Sequence, residues 1–260
     1  TAARPRYTGV APPPATATAT DATLAEPAAL ADCPASAAVG TFVHELFECL
    51  DFATGVPRNG APLATVAVAL ARKVGEKAPD AVDAIVGAVP RILATPLDGG
   101  AVDLPPGFSL SQVAPADRVC ELPFDLRVGH GNRFVPGAPG GTVSPAAIRL
   151  ALAAGGERSP GAAWLHTHLA TLSDSEEGLF PAMAGLLNGA IDLVLRVPAG
   201  AGSSTARYVV LDYKTNRVAD PKAPRDPLRL HYTPPWLTWA MARGGYPLQA
   251  LIYTVALHRH

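Results

Sequence analysis

A chain of 260 residues that is 48% hydrophobic and 17% charged can form one sizeable globular core. Its formal net charge of −1 at pH 7 gives no overall sign of a nucleic-acid partner, and three scattered cysteines without a Cys-x-x-Cys pair argue against disulfide, zinc-ribbon and iron–sulfur frameworks. No apolar run of about 18 residues and no signal-peptide pattern occurs, so we expect a soluble, cytoplasmic protein that does not contact a membrane.

The first residue is Thr1 rather than a methionine, so we expect the chain to be part of a longer protein. Residues 1–36 are rich in Ala, Pro and Thr and contain few large apolar side chains. Because such a composition cannot form a core, we predict an extended or disordered linker over 1–36 and one folded domain over 37–260.

Helical spacing of apolar residues begins directly after this linker. Four of them fall at positions i, i+3, i+4 and i+7 and predict an amphipathic helix over 38–52, namely Val43, Leu46, Phe47 and Leu50. Similar patterns predict helices over 62–76, 80–94, 145–154, 161–172 and 178–187, and a last helix that starts near Pro247.

Alternating apolar and polar residues predict three strands, over 122–128, 191–197 and 207–214. The loop over 198–206 consists of small and polar residues, which suits a hairpin between the last two strands. A Gly/Pro-rich loop over 129–141 and a Pro-rich segment over 221–235 interrupt the regular elements. We therefore predict an α/β domain in which helices flank a small sheet.

The predicted hairpin places two carboxylates opposite each other. If it closes symmetrically about Gly202, residues whose numbers add up to 404 are paired, and Asp192 faces Asp212. Opposed Cβ atoms lie about 4.5–5.5 Å apart, so the two charges would repel unless a cation lay between them. Carboxylate oxygens together with water favour Mg²⁺. The hairpin therefore predicts a magnesium site.

Period-2 alternation puts Lys214 on the same face as Asp212. In phosphodiester hydrolysis, an ammonium group beside the metal stabilises negative charge or orients the nucleophile. The residues alone leave a simpler alternative, in which two solvent-facing acids form a salt bridge with the lysine. Charge leaves a similar choice, because the nine Lys/Arg against four Asp/Glu over 190–260 suit either a polyanion or a solvated loop face.

Several motifs, taken in their order along the chain, resemble one known family. Gly189-Ala-Ile-Asp192, Leu211-Asp212-Tyr-Lys214-Thr-Asn216 and Gln249-Ala-Leu-Ile-Tyr253 are similar to the nuclease domain of the RecB family. Upstream, Gly40-Thr-Phe-Val-His44 resembles the histidine-bearing helix of that family, and Glu121-Leu-Pro-Phe124 resembles its intermediate acidic motif. The family has the PD-(D/E)XK restriction-endonuclease-like fold, so the resemblance implies a small mixed sheet flanked by helices.

The resemblance also implies a role for each matching residue. Asp192, Asp212 and His44 would be ligands of Mg²⁺, together with the backbone carbonyl of Tyr213. Lys214 would be the catalytic lysine, and Glu121 would lie at or near the metal. Two residues four apart on one helical face would point into the site and hold DNA or order the lysine, namely Gln249 and Tyr253.

Purely structural explanations are also open for several of these residues. His44 could be a surface histidine, Glu121 a strand-flanking acid, and Gln249 with Tyr253 the polar side of an amphipathic helix. His166 and His168, two apart in a predicted helix, do not share a face and are interpreted as structural. Trp236 and Trp239 could stack on single-stranded bases, although core anchoring is the commoner use of such a pair.

The resemblance implies a Mg²⁺-dependent DNA exonuclease or endonuclease domain of a RecB-like subunit, which acts in double-strand-break processing and recombinational repair. Its partners would be DNA, RecC- and RecD-like subunits and a helicase region of the same full-length chain. The chain contains no G-x-x-x-x-G-K-[ST] loop, so we expect no ATPase activity from it. The alternatives are an AddA-type nuclease domain and a catalytically silent module that docks DNA or partners.

Overall fold

The computed structural model describes Pro13 and residues 22–75, 79–97, 104–128, 185–198, 206–219 and 228–260. The helices predicted over 145–154 and 161–172, and with them His166 and His168, lie outside this part of the chain. The chain divides into a larger unit (Thr16–Leu122 and Ile191–Tyr232) and a smaller unit (Thr1–Ala15, Pro123–Ala190 and Thr233–His260).

Three helices of the larger unit follow the apolar patterns closely. They are α1 (Ala37–Cys49), α2 (Leu63–Lys73) and α3 (Pro79–Ala94). α1 begins where the Ser36 side chain accepts a hydrogen bond from the Val39 backbone N–H at 3.0 Å, which satisfies one of the free donors of the first turn. It ends earlier than the predicted 38–52, because Leu50 leaves the helix and bridges to Pro57.

The sheet has three strands in the order β1 (Arg118–Val128), β2 (Gly185–Val197) and β3 (Arg207–Leu211). β2 and β3 pair antiparallel from Leu193↔Leu211 to Val197↔Arg207, so every pair adds up to 404 and the predicted register is confirmed. The predicted third strand was too long, since β3 ends at Leu211. The helix predicted over 178–187 is wrong for residues 185–187, which are extended and open β2.

β2 lies at the centre of this sheet and carries the core of the larger unit. Residues 191–195 are all buried, and Leu193 and Leu195 are fully excluded from solvent. They belong to one apolar cluster with Phe47 of α1 and Val89 of α3. A run of buried residues that pack on helices is typical of an α/β arrangement, and this part of the predicted fold class is confirmed.

Part of the predicted linker is folded. Within residues 22–36, a 3-10 turn spans Ala22–Ala25, Pro27 bridges to Leu228, and Ala28 and Ala31 are buried. Leu30 also packs against the apolar core, and the small alanine side chains let the backbone approach its neighbours closely, so a segment with few large apolar residues still packs. The linker prediction therefore fails over 22–36.

The smaller unit contains α4 (Pro234–Arg243) and α5 (Tyr246–Arg259). The Pro-rich segment predicted over 221–235 is corrected at its end, because Pro234 and Pro235 open a helix; the first turn tolerates proline since its N–H groups have no helical partner. Trp236 and Trp239 are buried and meet edge to face at a ring distance of 5.6 Å, which supports core anchoring over base stacking. No helix in the described residues is long and apolar enough to cross a membrane.

Candidate metal centre

Three side chains from different elements converge in the larger unit: His44 of α1, Glu121 of β1 and Asp192 of β2. The Nδ1 atom of His44 lies 3.4 Å from an Asp192 carboxylate oxygen and 3.8 Å from a Glu121 carboxylate oxygen. One nitrogen or oxygen atom from each of the three lies within 4.8 Å of the other two. The structure thus brings together three residues that are separated widely in sequence.

Tyr213 orients the His44 ring through its main chain. Nε2 of His44 lies 3.1 Å from the carbonyl oxygen of Tyr213. A carbonyl oxygen only accepts, so Nε2 carries the proton in this hydrogen bond, and Nδ1 is the ring atom that faces the two carboxylates. The Tyr213 ring adds an edge-to-face contact with the imidazole at 5.7 Å. The sequence-based role of this carbonyl as a direct metal ligand remains a prediction.

Asp192 is held by the same residue. The Tyr213 backbone N–H donates to a carboxylate oxygen of Asp192 at 3.0 Å, and Asp192 is only 7% exposed. The apolar residues on either side of it in β2 explain the burial, because Ile191 and Leu193 are fully excluded from solvent. A carboxylate in such surroundings needs hydrogen bonds or a cation to remain charged.

Glu121 reaches the cluster from an unusual backbone conformation. Its φ of 49° lies in the left-handed region, which residues other than glycine rarely adopt and which costs about 1–3 kcal/mol. Burial is the main cause that raises the pKa of the Glu121 carboxyl, the charge of Asp192 raises it further, and His44 opposes both effects. Backbone strain and a raised carboxyl pKa often mark functional sites.

Asp212, the predicted cross-strand partner of Asp192, is not part of this cluster. Strand pairing ends one residue before Asp212, and the Asp212 carboxylate forms an ion pair with the Lys214 ammonium group. The cluster found among the described residues consists of His44, Glu121 and Asp192. Asp212 therefore contacts the predicted catalytic lysine, and its role as a metal ligand stays a prediction.

Gln249 and Tyr253 lie on α5 in the smaller unit. The Gln249 side-chain amide donates to the Tyr253 hydroxyl at 2.8 Å, as expected for residues four apart on one helical face. Tyr253 is nearly buried, and its ring meets that of Phe124 edge to face at 5.9 Å. Their predicted roles towards DNA or the lysine remain predictions.

Sequence reasoning missed two acids near the cluster. An open cavity of about 390 Å³ lies over α1 and is lined by His44, Glu45, Glu48 and Glu121, together with Gly40 and Thr41. Glu48 follows His44 by four residues, so the two side chains share one face of α1. This spacing was the signal in the sequence that could have pointed to Glu48.

The donor set fits a divalent cation. Two carboxylates and the Nδ1 lone pair of a histidine repel one another unless a cation or a proton lies among them. Oxygen-rich sites with a single imidazole accept Mg²⁺ or Mn²⁺, whereas zinc sites favour sulfur and several histidines. His44, Glu121 and Asp192 would hold the ion, and the main chain of Tyr213 fixes the orientation of two of these ligands.

The chain is similar to curated RecB subunits over most of its length. No family model matches it. The RecB subunit of the RecBCD enzyme from Mycobacterium tuberculosis is 33% identical over 238 residues, which is 88% of this chain and 19% of that protein. The chain is homologous to RecB. The RecB subunit of Mycolicibacterium smegmatis is 31% identical over 90% of this chain, and the match spans 19% of that protein. The RecB subunit of Escherichia coli is 27% identical over 87% of this chain, and the match spans 15% of that protein.

The predicted resemblance to RecB is thereby confirmed for most of the chain. The chain spans about a fifth of the length of the mycobacterial RecB relatives that it matches.

Proposed function

We propose that this chain is the Mg²⁺-dependent DNA nuclease domain of a RecB-like subunit, with a PD-(D/E)XK core. The observation that carries the proposal is the convergence of His44, Glu121 and Asp192 in a chain homologous to RecB. The three-stranded sheet with α1 and α3 against it agrees with such a core. The reaction would be hydrolysis of phosphodiester bonds, by exonuclease or endonuclease cleavage.

The site residues would have separate roles in binding the metal and in stabilising the phosphate. His44, Glu121 and Asp192 would hold the ion, whose chemistry when bound is to polarise a phosphate oxygen and to lower the pKa of a coordinated water. Lys214 would place its ammonium group against a phosphate oxygen and offset the negative charge that develops there. In the structure the Lys214 ammonium group is ion-paired with the Asp212 carboxylate.

The partners follow from the RecB relatives, which are named as subunits of the RecBCD enzyme. We propose that the chain works on DNA ends during double-strand-break processing, together with RecC- and RecD-like subunits and a helicase region of its own full-length protein. An AddA-type nuclease domain shares the hairpin motifs and is the alternative. Co-purification of the full-length protein with RecC- and RecD-like subunits would favour the RecB-like assignment.

A nuclease assay tests the proposal directly. We expect degradation of single-stranded DNA in Mg²⁺, no degradation in EDTA, and a loss of at least about a hundredfold in rate for Lys214→Ala. The matched control is Arg196→Ala, which removes another cation of the same unit, one paired with Asp117 at 2.8 Å, and it should cleave like the parent. DNA binding without cleavage by the parent in Mg²⁺ would instead support the silent docking module.

A further inference from the structure

The C-terminal end of α1 is held by two guanidinium groups from outside the helix. Arg58, in the loop after α1, donates to the Glu48 carbonyl. Arg118, the first residue of β1, donates to the Leu50 carbonyl. The last carbonyls of a helix lack helical partners and carry partial negative charge, so cations stabilise this end. α1 has no basic residue in its own last turn, and both cations come from other segments of the larger unit.

Arg118 differs from the exposed Arg58 in that it is buried, with only 9% of the residue accessible. Its guanidinium carbon lies 3.7 Å from the centre of the Phe52 ring. Within the described residues, no carboxylate forms an ion pair with it, and its Nη1 nitrogen has no hydrogen-bond partner. A buried cation without an anion is costly, and an apolar side chain of similar length would fill the space without that cost. The contacts of this guanidinium group therefore need an explanation other than the stability of the core.

The contact of Arg118 with Leu50 joins the two elements that carry His44 and Glu121. Glu121 follows Arg118 by three residues in β1, and Leu50 follows His44 by six residues at the end of α1. Three strand residues span about 10 Å and six helical residues about 9 Å, so the two stretches are nearly equal in length. They also meet at the other end, where Nδ1 of His44 lies 3.8 Å from a Glu121 carboxylate oxygen. Of these two contacts between β1 and α1, the one made by Arg118 needs no metal ion.

Glu121 needs support from its surroundings because its backbone is strained. A strand residue with a φ of 49° would relax to the ordinary extended conformation unless neighbouring contacts prevented it. Relaxation would turn the Glu121 side chain and take its carboxylate away from His44. The planar guanidinium group of Arg118 opposes this movement, because it stacks on Phe52 and donates to a main-chain carbonyl at the same time.

We propose that Arg118 is a positioning residue of the metal centre, which holds β1 against the end of α1 so that Glu121 stays beside His44 and Asp192. The proposal rests on the metal-dependent function proposed above and adds to it a residue that acts through Glu121 rather than on the ion or the DNA. Two simpler roles lead to different expectations. A purely structural arginine would affect stability alone. A long-range effect of its charge would repel a cation, so that its removal would strengthen metal binding.

Mn²⁺ binding to the full chain without DNA tests the proposal. Free Mn²⁺ is followed by electron paramagnetic resonance, and urea unfolding in EDTA measures stability independently. In Arg118→Met we expect Mn²⁺ affinity about tenfold below that of the parent. The midpoint of urea unfolding should be equal or higher, since the buried charge is gone. Weaker metal binding together with undiminished stability distinguishes positioning from both simpler roles.

A double-mutant cycle with Glu121→Gln tests whether Arg118 acts through Glu121. Once this ligand is lost, Arg118→Met should not weaken Mn²⁺ binding further. The matched control is Arg58→Met, which removes the other cation at the end of α1, one that donates from the following loop and not from β1. It should bind Mn²⁺ at least as tightly as the parent.

Arg118→Lys carries the test if the methionine variant does not fold. Its ammonium group keeps the charge but cannot lie flat on the Phe52 ring while it donates to Leu50, so we expect about threefold weaker Mn²⁺ binding. Three results would overturn the proposal: parental affinity in whichever variant folds, an equal further loss in the Glu121→Gln background, or a parent that binds no Mn²⁺. Failure of both variants to fold would show that the fold itself requires the arginine and would likewise overturn it.

These outcomes are distinct from those of the nuclease assay. Cleavage of single-stranded DNA by the parent, with Arg118 variants that bind Mn²⁺ like the parent, would overturn the positioning role and leave the nuclease function standing. Weaker Mn²⁺ binding that depends on Glu121, without any cleavage by the parent, would support the positioning role and contradict the nuclease function.

Discussion

The backbone N–H of Tyr213 donates to a carboxylate oxygen of Asp192 at 3.0 Å, at the point where the pairing of β2 and β3 ends. In a continued ladder, Asp192 would face Asp212 across the sheet. The Asp192 side chain binds the chain two residues beyond β3 instead. One carboxylate therefore both terminates the hairpin pairing and is itself held in place beside His44 and Glu121.

Substitutions of Asp192 should separate these two tasks. Asp192→Asn keeps an oxygen that can accept from the Tyr213 N–H but removes the charge, so we expect near-parental stability and at least about a tenfold loss of Mn²⁺ or Mg²⁺ affinity. Asp192→Ala loses the acceptor as well and leaves a buried N–H unsatisfied, which should lower the free energy of unfolding by about 1–3 kcal/mol. Calorimetric metal titration and urea unfolding measure the two effects.

A matched control for this pair is Asp117→Asn, which removes a carboxylate bound to Arg196 outside the metal cluster. It should leave metal affinity unchanged. Equal metal affinity in Asp192→Asn and the parent would contradict the assignment of Asp192 as a ligand. Equal unfolding free energies for the Asn and Ala variants would contradict the structural role of the hydrogen bond.

The Tyr213 side chain gives a prediction of opposite sign. Its hydroxyl is buried and has no hydrogen-bond partner within the described residues, and burial is the main cause that raises the pKa of this phenol. Tyr213→Phe removes an unsatisfied polar group and keeps the ring and both main-chain contacts. We expect the free energy of unfolding to stay equal or to rise by about 1 kcal/mol, with unchanged metal affinity.

The contrasting variant is Tyr213→Ala, which removes the ring contacts with Phe47 and His44 and should cost about 3 kcal/mol. Urea unfolding of the three proteins measures both effects. A loss of more than about 1 kcal/mol in Tyr213→Phe would mean that the hydroxyl makes a stabilising hydrogen bond after all.

The hairpin register could be predicted from the sequence, because it depends only on the centre of a loop between two alternating strands. The residue at which β3 ends could not be predicted from the sequence. Whether Asp212 continues the ladder depends on a side chain of β2 that binds the backbone of Tyr213, and such a contact leaves no periodic signal. The ion pair of Asp212 with Lys214 could be predicted from the sequence, since residues i and i+2 of an extended segment share a face.

The approach of Glu121 to His44 is non-local and was accessible only through the resemblance to a family. No propensity predicts a glutamate with a φ of 49° inside a strand, because the surrounding packing imposes that conformation. The prediction for the start of α4 was wrong for a different reason. Pro234 and Pro235 were interpreted as part of an irregular segment, although their position in a first helical turn is equally compatible with their chemistry.

Asp51 leads to a pH-dependent prediction outside the site. Its carboxylate accepts from the Thr54 backbone N–H at 3.0 Å and from the Thr54 hydroxyl at 3.1 Å, and the backbone bond is the main cause that lowers the pKa of Asp51 below its ordinary 3.8. A lowered folded-state pKa stabilises the fold above the unfolded pKa, and this contribution disappears as the pH falls through the folded value. The carboxylate is largely exposed, so we expect less than about 1 kcal/mol.

The measurement compares urea unfolding of the parent and Asp51→Ala at several pH values. The variant should be less stable at neutral pH, and the difference should shrink as the pH falls below the ordinary carboxyl pKa of 3.8 and through the lowered folded-state value. Thr54→Val keeps the backbone donor and removes only the hydroxyl, so it should show a smaller version of the same profile. A difference that stays constant with pH would exclude the charge of Asp51 as its origin.

Gly189 gives a prediction in the smaller unit. A Cβ atom at this position would lie 2.8 Å from the ζ carbon of Phe124, closer than real Cβ contacts, so Gly189→Ala must displace the Phe124 ring from its contact with Tyr253. We expect the free energy of unfolding to fall by about 1–2 kcal/mol. Alanine is otherwise preferred to glycine inside a strand, by about 0.5–1 kcal/mol.

The sign of the effect should therefore depend on Phe124. In a Phe124→Ala background the obstacle is gone, and Gly189→Ala should become neutral or stabilising, as a double-mutant cycle of urea unfolding would show. The matched control is Gly87→Ala in α3, where nothing lies within 4 Å of the new methyl group, and where we expect stabilisation of about 1 kcal/mol in either background. An equal cost of Gly189→Ala with and without the Phe124 ring would show that the glycine is needed for its backbone rather than for the space that the ring occupies.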